Sequence, residues 1–317
     1  MLPSREAREL YIGTSVPELD SSPTPLEFYR LVFDSLFPVS FLFRDWVSPN
    51  LPVIIRGGAA HFPALKNWSP ELLRSRIGNA CVTVAVTPNG LADAPQGDQF
   101  VMPEERTMKM EEFLDIIENP DTKNGVFYIQ KQNSNLTEEF AELMEDVDQE
   151  MVWASEAFNK KPDAVNFWMG DSRAVTSMHK DPYENIYCVI RGEKDITLQP
   201  PSDLPWIPYK NYHPAVYKQD TNTGLWETES LEGSLVPWIA IDPLNPDFEV
   251  WPSYKNVTQL RLKLKAGDVL YLPSFWFHHL TQTQGCIAVN YCYDMQFDVK
   301  YNFFNLLQNL KTVIKEQ

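Results

Sequence analysis

The spacing of apolar positions changes character near Val165. Before that point helical and strand-like spacings alternate. Thr24-Pro25-Leu26-Glu27 offers an N-cap hydroxyl, a proline at the first helical position and a glutamate at the third. Leu26, Phe28, Leu31, Val32 and Phe33 follow, so a helix is expected there. Ser69-Pro70-Glu71 predicts a second helix start, which Gly78 closes. Short β-branched runs at 52–56 (PVIIR) and 81–87 (CVTVAVT) predict strands. A helix is expected over 110–118, a strand over 126–132 and an acidic amphipathic helix over 136–147.

Beyond Val165 short strand-like runs dominate, at 165–169, 174–179, 185–191, 194–198, 260–264, 268–272 and 285–293. Arg191-Gly192-Glu193 and Lys265-Ala266-Gly267 read as tight turns between them. Many short antiparallel strands separated by turn residues predict a sandwich or barrel. Residues 200–252 read as a Pro-rich connection carrying Trp206, Trp238 and Trp251, longer than compact domains usually hold without a purpose. A terminal helix over 301–316 carries an apolar stripe of Phe303, Phe304, Leu306, Leu307, Leu310 and Val313. That stripe could cover its own barrel or a second copy, forming a homodimer. The expected organisation is an N-terminal helical segment (1–45), a β domain (46–300) with an insertion at about 200–252, and a C-terminal helix (301–317).

Composition narrows the partners. The 317 residues hold 27 Lys+Arg against 43 Asp+Glu, a net charge of -16. Such a surface repels phosphate backbones, which argues against direct nucleic-acid binding, and favours a basic protein partner. The same acidity also serves solubility alone. Hydrophobic residues make up 44% of the chain, enough for a globular core, and no apolar run approaches the length of a membrane span. The N-terminus lacks the apolar stretch of a signal peptide. Four scattered cysteines without a CxxC pair argue against a zinc ribbon and for a reducing cytoplasmic or nuclear compartment.

Five histidines are present: His61, His179, His213, His278 and His279. In an extended Met178-His179-Lys180-Asp181, residues two apart share a face, so His179 and Asp181 can reach one ion while Lys180 points away. His278 closes Tyr271-Leu272-Pro273-Ser274-Phe275-Trp276-Phe277-His278. Two imidazoles and one carboxylate form the facial triad of non-haem Fe(II) oxygenases, which leaves three positions for a keto acid and dioxygen. An HxD pair alone recurs by chance, and only the β-rich context and the distant histidine give it weight. His61 and His213 have no such context, and His279 falls on the opposite face from His278.

Together these motifs resemble the JmjC hydroxylases. The likeness is carried by Thr176-x-x-His179-x-Asp181-x-x-x-Asn185, by Lys194, and by Gly267-Asp268-Val269-Leu270-Tyr271-Leu272-Pro273 leading to Trp276-Phe277-His278. Asp163–Trp168, Tyr128–Gln132 and Gly285–Tyr291 extend it over nearly the whole chain, closest to the family's small lysyl hydroxylase branch. The resemblance implies a mainly β fold with flanking helices, a double-stranded β-helix of the cupin-like JmjC kind. It implies Fe(II) held by His179, Asp181 and His278. It assigns 2-oxoglutarate to Lys194, Tyr128 and Thr176 at the distal carboxylate, and to Asn185 and Asn290 near the metal, with Tyr187 on the same face. Lys194, read alone, would be an ordinary solvated lysine. The implied activity is (3S)-lysyl hydroxylation of a protein with a target lysine, such as developmentally regulated GTP-binding proteins, with dioxygen as cosubstrate.

Endopeptidase action on basic, histone-like tails and histone lysine demethylation are the alternatives. Demethylases of this superfamily usually carry Glu where this chain has Asp181, and no HExxH helix is present. A non-catalytic cupin-like binding module is a further alternative. An acidic partner for a substrate ammonium is expected from the Pro-rich segment, with Asp203, Asp242 and Asp247 as candidates.

Overall fold

A computed structural model describes residues 12–20 and 46–315. The helix expected after Thr24 lies outside the described residues. The chain opens with strands β1 (Glu18–Leu19) and β2 (Val53–Ile55) and helices α1 (Ala64–Asn67) and α2 (Pro70–Ile77). Strands β3 (Cys81–Thr87), β4 (Leu91–Ala92), β5 (Ala94–Gln96), β6 (Gln99–Met102) and β7 (Glu104–Lys109) lead to α3 (Met110–Glu118). Strand β8 (Val126–Ile129) and helices α4 (Asn135–Glu138) and α5 (Val152–Phe158) follow. The remainder is β9 (Ala164–Gly170), β10 (Val175–His179), β11 (Tyr183–Arg191), β12 (Glu193–Gln199), β13 (Tyr209–Gln219), β14 (Trp226–Ser230) and β15 (Val236–Ile239). Strands β16 (Leu260–Lys265), β17 (Val269–Leu272), β18 (Phe277–Gln282) and β19 (Cys286–Asp294) precede the terminal helix α6 (Val299–Lys315).

Two sheets form the barrel. The larger runs β1-β2-β17-β11-β19-β9-β8-β3-β7, and the smaller β16-β12-β18-β10-β4. From β9 to β12 the chain alternates between them, and it does so again from β16 to β19. This repeated crossing is the double-stranded β-helix. Gly192 makes one crossing at φ 79°, where a Cβ would lie 2.3 Å from the carbonyl oxygen of Gly285. Gly267 makes another at φ 91°.

Period-two alternation assigns the faces. On β11, Tyr187 and Val189 point into the barrel, while Ile186, Cys188 and Ile190 pack outward against helices. On β19, Ala288 points in, and Ile287, Val289, Tyr291 and Tyr293 point out. Leu73, Phe113, Leu136 and Phe158 from α2, α3, α4 and α5 cover that outer face. Burial on both faces explains why the sequence of these strands is nearly all apolar.

Several boundaries agree with the sequence. Ser69 caps α2 by accepting from the Leu72 amide at 3.3 Å, and β3 and α3 match their expected ranges. The helix expected over 136–147 is instead α4 followed by a 3-10 stretch, Ala141–Asp146. Tertiary bonds fix both ends of that segment. Asn135 exchanges hydrogen bonds with Phe167 of β9, and the buried Asp146 carboxylate accepts from Trp68 Nε1 and Asn67. The expected connection over 200–252 contains β13, β14 and β15. Strand β13 pairs with β6, β14 and β15 around Pro214, a residue that masks the strand pattern. On α6, Phe304 packs against Phe275 at 4.3 Å between ring centroids, while Phe303, Leu306 and Leu310 remain exposed. Among the described residues no helix is long and apolar enough to cross a membrane.

Candidate metal centre and its pocket

Antiparallel pairing of β10 with β18 sets His179 opposite His278. A register shift lies between Thr176 and His179. Residues three apart on a regular strand face opposite ways, and the bulge lets both of these line one cavity. Asp181 follows two residues beyond His179, where the Phe275 amide donates to its carbonyl at 2.9 Å. Phe275 holds a left-handed φ of 66°, which turns the chain from β17 into β18. Lys180 points away from this centre and lies over the rings of Phe304 (4.8 Å) and Phe275 (5.3 Å).

His179, Asp181 and His278 bring one donor atom each to within 4.8 Å of one another. Asp181 Oδ2 is 3.4 Å from His179 Nε2 and 3.7 Å from His278 Nε2. His179 Nδ1 faces the carbonyl of Ser177 at 2.8 Å, and His278 Nδ1 faces that of Trp276 at 2.9 Å. A carbonyl only accepts, so each Nδ1 donates to its main-chain partner, which turns each Nε2 toward Asp181. Burial opposes ionisation of Asp181, but the adjacent imidazoles outweigh it and hold the carboxyl well below the usual carboxylate range. Burial and neighbouring His179 push His278 down to about 4, which keeps that imidazole neutral near pH 7. Burial lowers His179 as well, but Asp181 outweighs it and raises that imidazole, so a metal ion would take its Nε2 in exchange for a proton.

The cavity above this cluster is lined by Tyr128, Thr176, Asn185, Tyr187 and Asn290 as well as the three donors. Lys194 does not line it directly. Its buried ammonium reaches the Tyr128 hydroxyl at 3.3 Å, and that tyrosine is in the wall. Among the described residues no carboxylate lies within ion-pairing distance of Lys194. A buried cation with only a phenol for company is costly unless an anion joins it.

Asn290 is the hub of a polar row across β11, β19 and β9. Its amide donates to Asn185 Oδ1 at 3.2 Å, and its carbonyl oxygen accepts from Asn166 (3.1 Å) and Trp168 Nε1 (2.9 Å). The sequence reading missed Trp168 and Gln132 in the wall, although Asn166 and Trp168 stand two apart on a recognisable strand. It also missed Trp238, which stacks on His179 at 6.2 Å and 11° between ring planes. Nothing local marks that tryptophan; tertiary folding brings β15 to the site.

The three acidic candidates of the 200–252 segment do not line the cavity. Asp203 is buried and accepts from the Thr258 amide at 2.6 Å. Asp242 and Asp247 cap turns by accepting from the amides of Leu244, Glu249 and Val250. His279 is buried on the opposite face of β18, His61 is exposed beside Asp148, and His213 is exposed.

Residues 38–299 match the model of the cupin-like domain family. The chain is 50% identical over 305 residues to the human bifunctional peptidase and (3S)-lysyl hydroxylase JMJD7, covering 96% of this chain and 92% of that protein. It is 38% identical to the lysine-specific demethylase JMJ32 of Arabidopsis thaliana, over 96% of this chain and 89% of the relative. It is 34% identical to the JmjC domain-containing protein E of Dictyostelium discoideum, over 96% and 91%.

Proposed function

The chain belongs to the family of cupin-like JmjC-domain proteins, and from that premise we propose that it is an Fe(II)- and 2-oxoglutarate-dependent (3S)-lysyl hydroxylase of proteins. The observation that carries this reading is the pairing, around one cavity, of the His179–Asp181–His278 donor set with the buried, anion-free Lys194. The first asks for a cation and the second for an anion. Fe(II) suits two neutral imidazoles and a carboxylate, and a dicarboxylate suits a lysine behind the far wall. The residues therefore fit the group the family implies.

Bound there with 2-oxoglutarate and dioxygen, the iron supplies the oxidising power to insert one oxygen atom into a C–H bond. The protein contributes position and exclusion of water. His179 and His278, oriented through Nδ1 by main-chain carbonyls, and Asp181 would hold the metal. Tyr128 and Thr176, with Lys194 behind Tyr128, would receive the distal carboxylate of 2-oxoglutarate, and Asn185 and Asn290 would face its metal-proximal end, with Tyr187 completing that wall. Trp168, Leu270, Leu272 and Leu280 keep the cavity largely apolar.

The substrate is a protein segment with a target lysine, which the net charge of -16 attracts. Developmentally regulated GTP-binding proteins are the first candidates on the strength of the resemblance. The four cysteines are free thiols, three of them buried, which supports a reducing cytoplasmic or nuclear setting. Mass analysis of matched peptides with unmodified and trimethylated lysine tests the activity. Gain of one oxygen on the unmodified lysine, dependent on Fe(II) and 2-oxoglutarate, is expected. Loss of a methyl group without that gain assigns demethylation instead, and backbone cleavage assigns a peptidase.

A further inference from the structure

We propose that Asp93 receives the ammonium of the substrate lysine, in a pocket beside the His179–Asp181–His278 cluster walled by Phe100, Trp168 and Trp238. This deepens the lysyl hydroxylase reading and rests on it for the identity of the substrate side chain.

The placement follows from strand register. Strand β4 runs parallel to β10 with Leu91 beside Val175 and Ala92 beside Thr176. Asp93 therefore comes beside Ser177, two residues ahead of His179. Ser177 Oγ donates to the Asp93 carbonyl at 2.7 Å and fixes the backbone. The φ of Asp93 is 52°, a left-handed conformation that aspartate and asparagine tolerate better than most residues. Its side chain lines the same pocket as His179, Asp181, Thr176, Gln130, Gln132 and the three aromatics.

The charge is poorly satisfied. One carboxylate oxygen accepts from Gln130 Nε2 at 3.1 Å, and among the described residues no lysine or arginine lies within ion-pairing distance. Burial raises the carboxyl above its ordinary pKa, against the opposing pull of the Gln130 hydrogen bond and of His179. An ammonium carries three donors and the missing charge. The walls suit the rest of a lysine. Phe100 and Trp238 pack at 4.6 Å between ring centroids, and Trp238 continues the surface to His179. Methylenes can lie along such rings with the charged end beyond them. The groove on the other side of Trp238 holds Lys180, Lys210 and Lys311, which repel an ammonium. A carboxylate also accepts N–H bonds that a trimethylammonium cannot give, so the pocket favours unmodified lysine.

The test measures binding to the whole chain, loaded anaerobically with Fe(II) and 2-oxoglutarate so that no turnover occurs. The probes are a short Gly/Ser-flanked peptide with one lysine and its norleucine twin. Asp93→Asn preserves shape, the left-handed backbone and the Gln130 contact. Wild type is expected to prefer the lysine peptide about tenfold or more. Asp93→Asn is expected to bind the two peptides alike, near the wild-type affinity for norleucine. A wild-type protein that binds both alike or not at all, or a preference that survives Asp93→Asn, overturns the proposal. Lysine-selective binding without oxygen incorporation in air would sink the hydroxylase reading and leave the role of Asp93 standing.

Discussion

The two ends of the central cavity handle charge in opposite ways. At one end Asp181 is surrounded by partners, with His179 Nε2 at 3.4 Å and His278 Nε2 at 3.7 Å. At the other, Lys194 is buried with the Tyr128 hydroxyl as its hydrogen-bonding neighbour. The first end is electrostatically comfortable as it stands and gains a ligand by offering donors. The second is uncomfortable as it stands and gains one by offering an uncompensated charge. A buried ion without its counterion marks where a ligand of opposite sign belongs, even where the ligand is absent.

Five substitutions at four positions sharpen or break this contrast. Asp181→Ala should have the largest effect. It removes the sole anionic donor of the cluster, so turnover of 2-oxoglutarate should fall by more than the roughly 10–100-fold seen when outer-shell partners of a metal site are lost. Folding should survive, because the side chain is not part of the apolar core. Full turnover by a folded Asp181→Ala protein would take this residue out of the proposed metal-holding set.

Lys194→Ala should raise the apparent KM for 2-oxoglutarate several hundred-fold, since breaking a buried charge pair costs about 3–5 kcal/mol. Lys194→Met adds a sign test. With no cosubstrate present it should melt at or above the wild-type temperature, because it removes an uncompensated buried cation. Wild type should be stabilised by 2-oxoglutarate and Lys194→Met should not. An unliganded Lys194→Met protein much less stable than wild type would show that Lys194 supports the fold rather than the ligand.

Asn290→Ala stands between the two ends. It strands the donors of Trp168 and Asn166 and the acceptor of Asn185, so stability should drop by about 1–3 kcal/mol. Denaturant melts check this, and an unchanged midpoint would mean that water replaces the amide. Ser69→Ala, outside the cavity, is the smallest change. Losing the cap of α2 should cost about 1 kcal/mol and leave kcat unaltered. A kcat defect in that variant would mean that the helical layer couples to the site.

Some of this molecule was legible along the chain. The HxD pair, the distant His278, the Gly-Asp-Val-Leu-Tyr-Leu-Pro strand and Lys194 stand out because their spacing matches a strand period or a family pattern. The alternation of strands after Val165 announced a β barrel, and Ser69 and Gly78 bracketed a helix that is present. Strand β18 was harder to read, because both of its faces are buried and no polar-apolar alternation remains. Strands β13 and β15 were hidden by the prolines Pro214 and Pro237, and β13 pairs with β6, a partner more than a hundred residues earlier.

Sequence by itself therefore determined the chemistry of the donor atoms, since residue type and two-residue spacing fix what a short extended segment can offer to an ion. Tertiary structure decided which charges go unanswered. That Lys194 meets a phenol instead of a carboxylate, that Asp93 comes two residues ahead of His179 on a neighbouring strand, and that Trp238 stacks on His179 all depend on pairings between distant strands. Burial and the absence of a counterion are properties of a three-dimensional neighbourhood, and no local pattern encodes them.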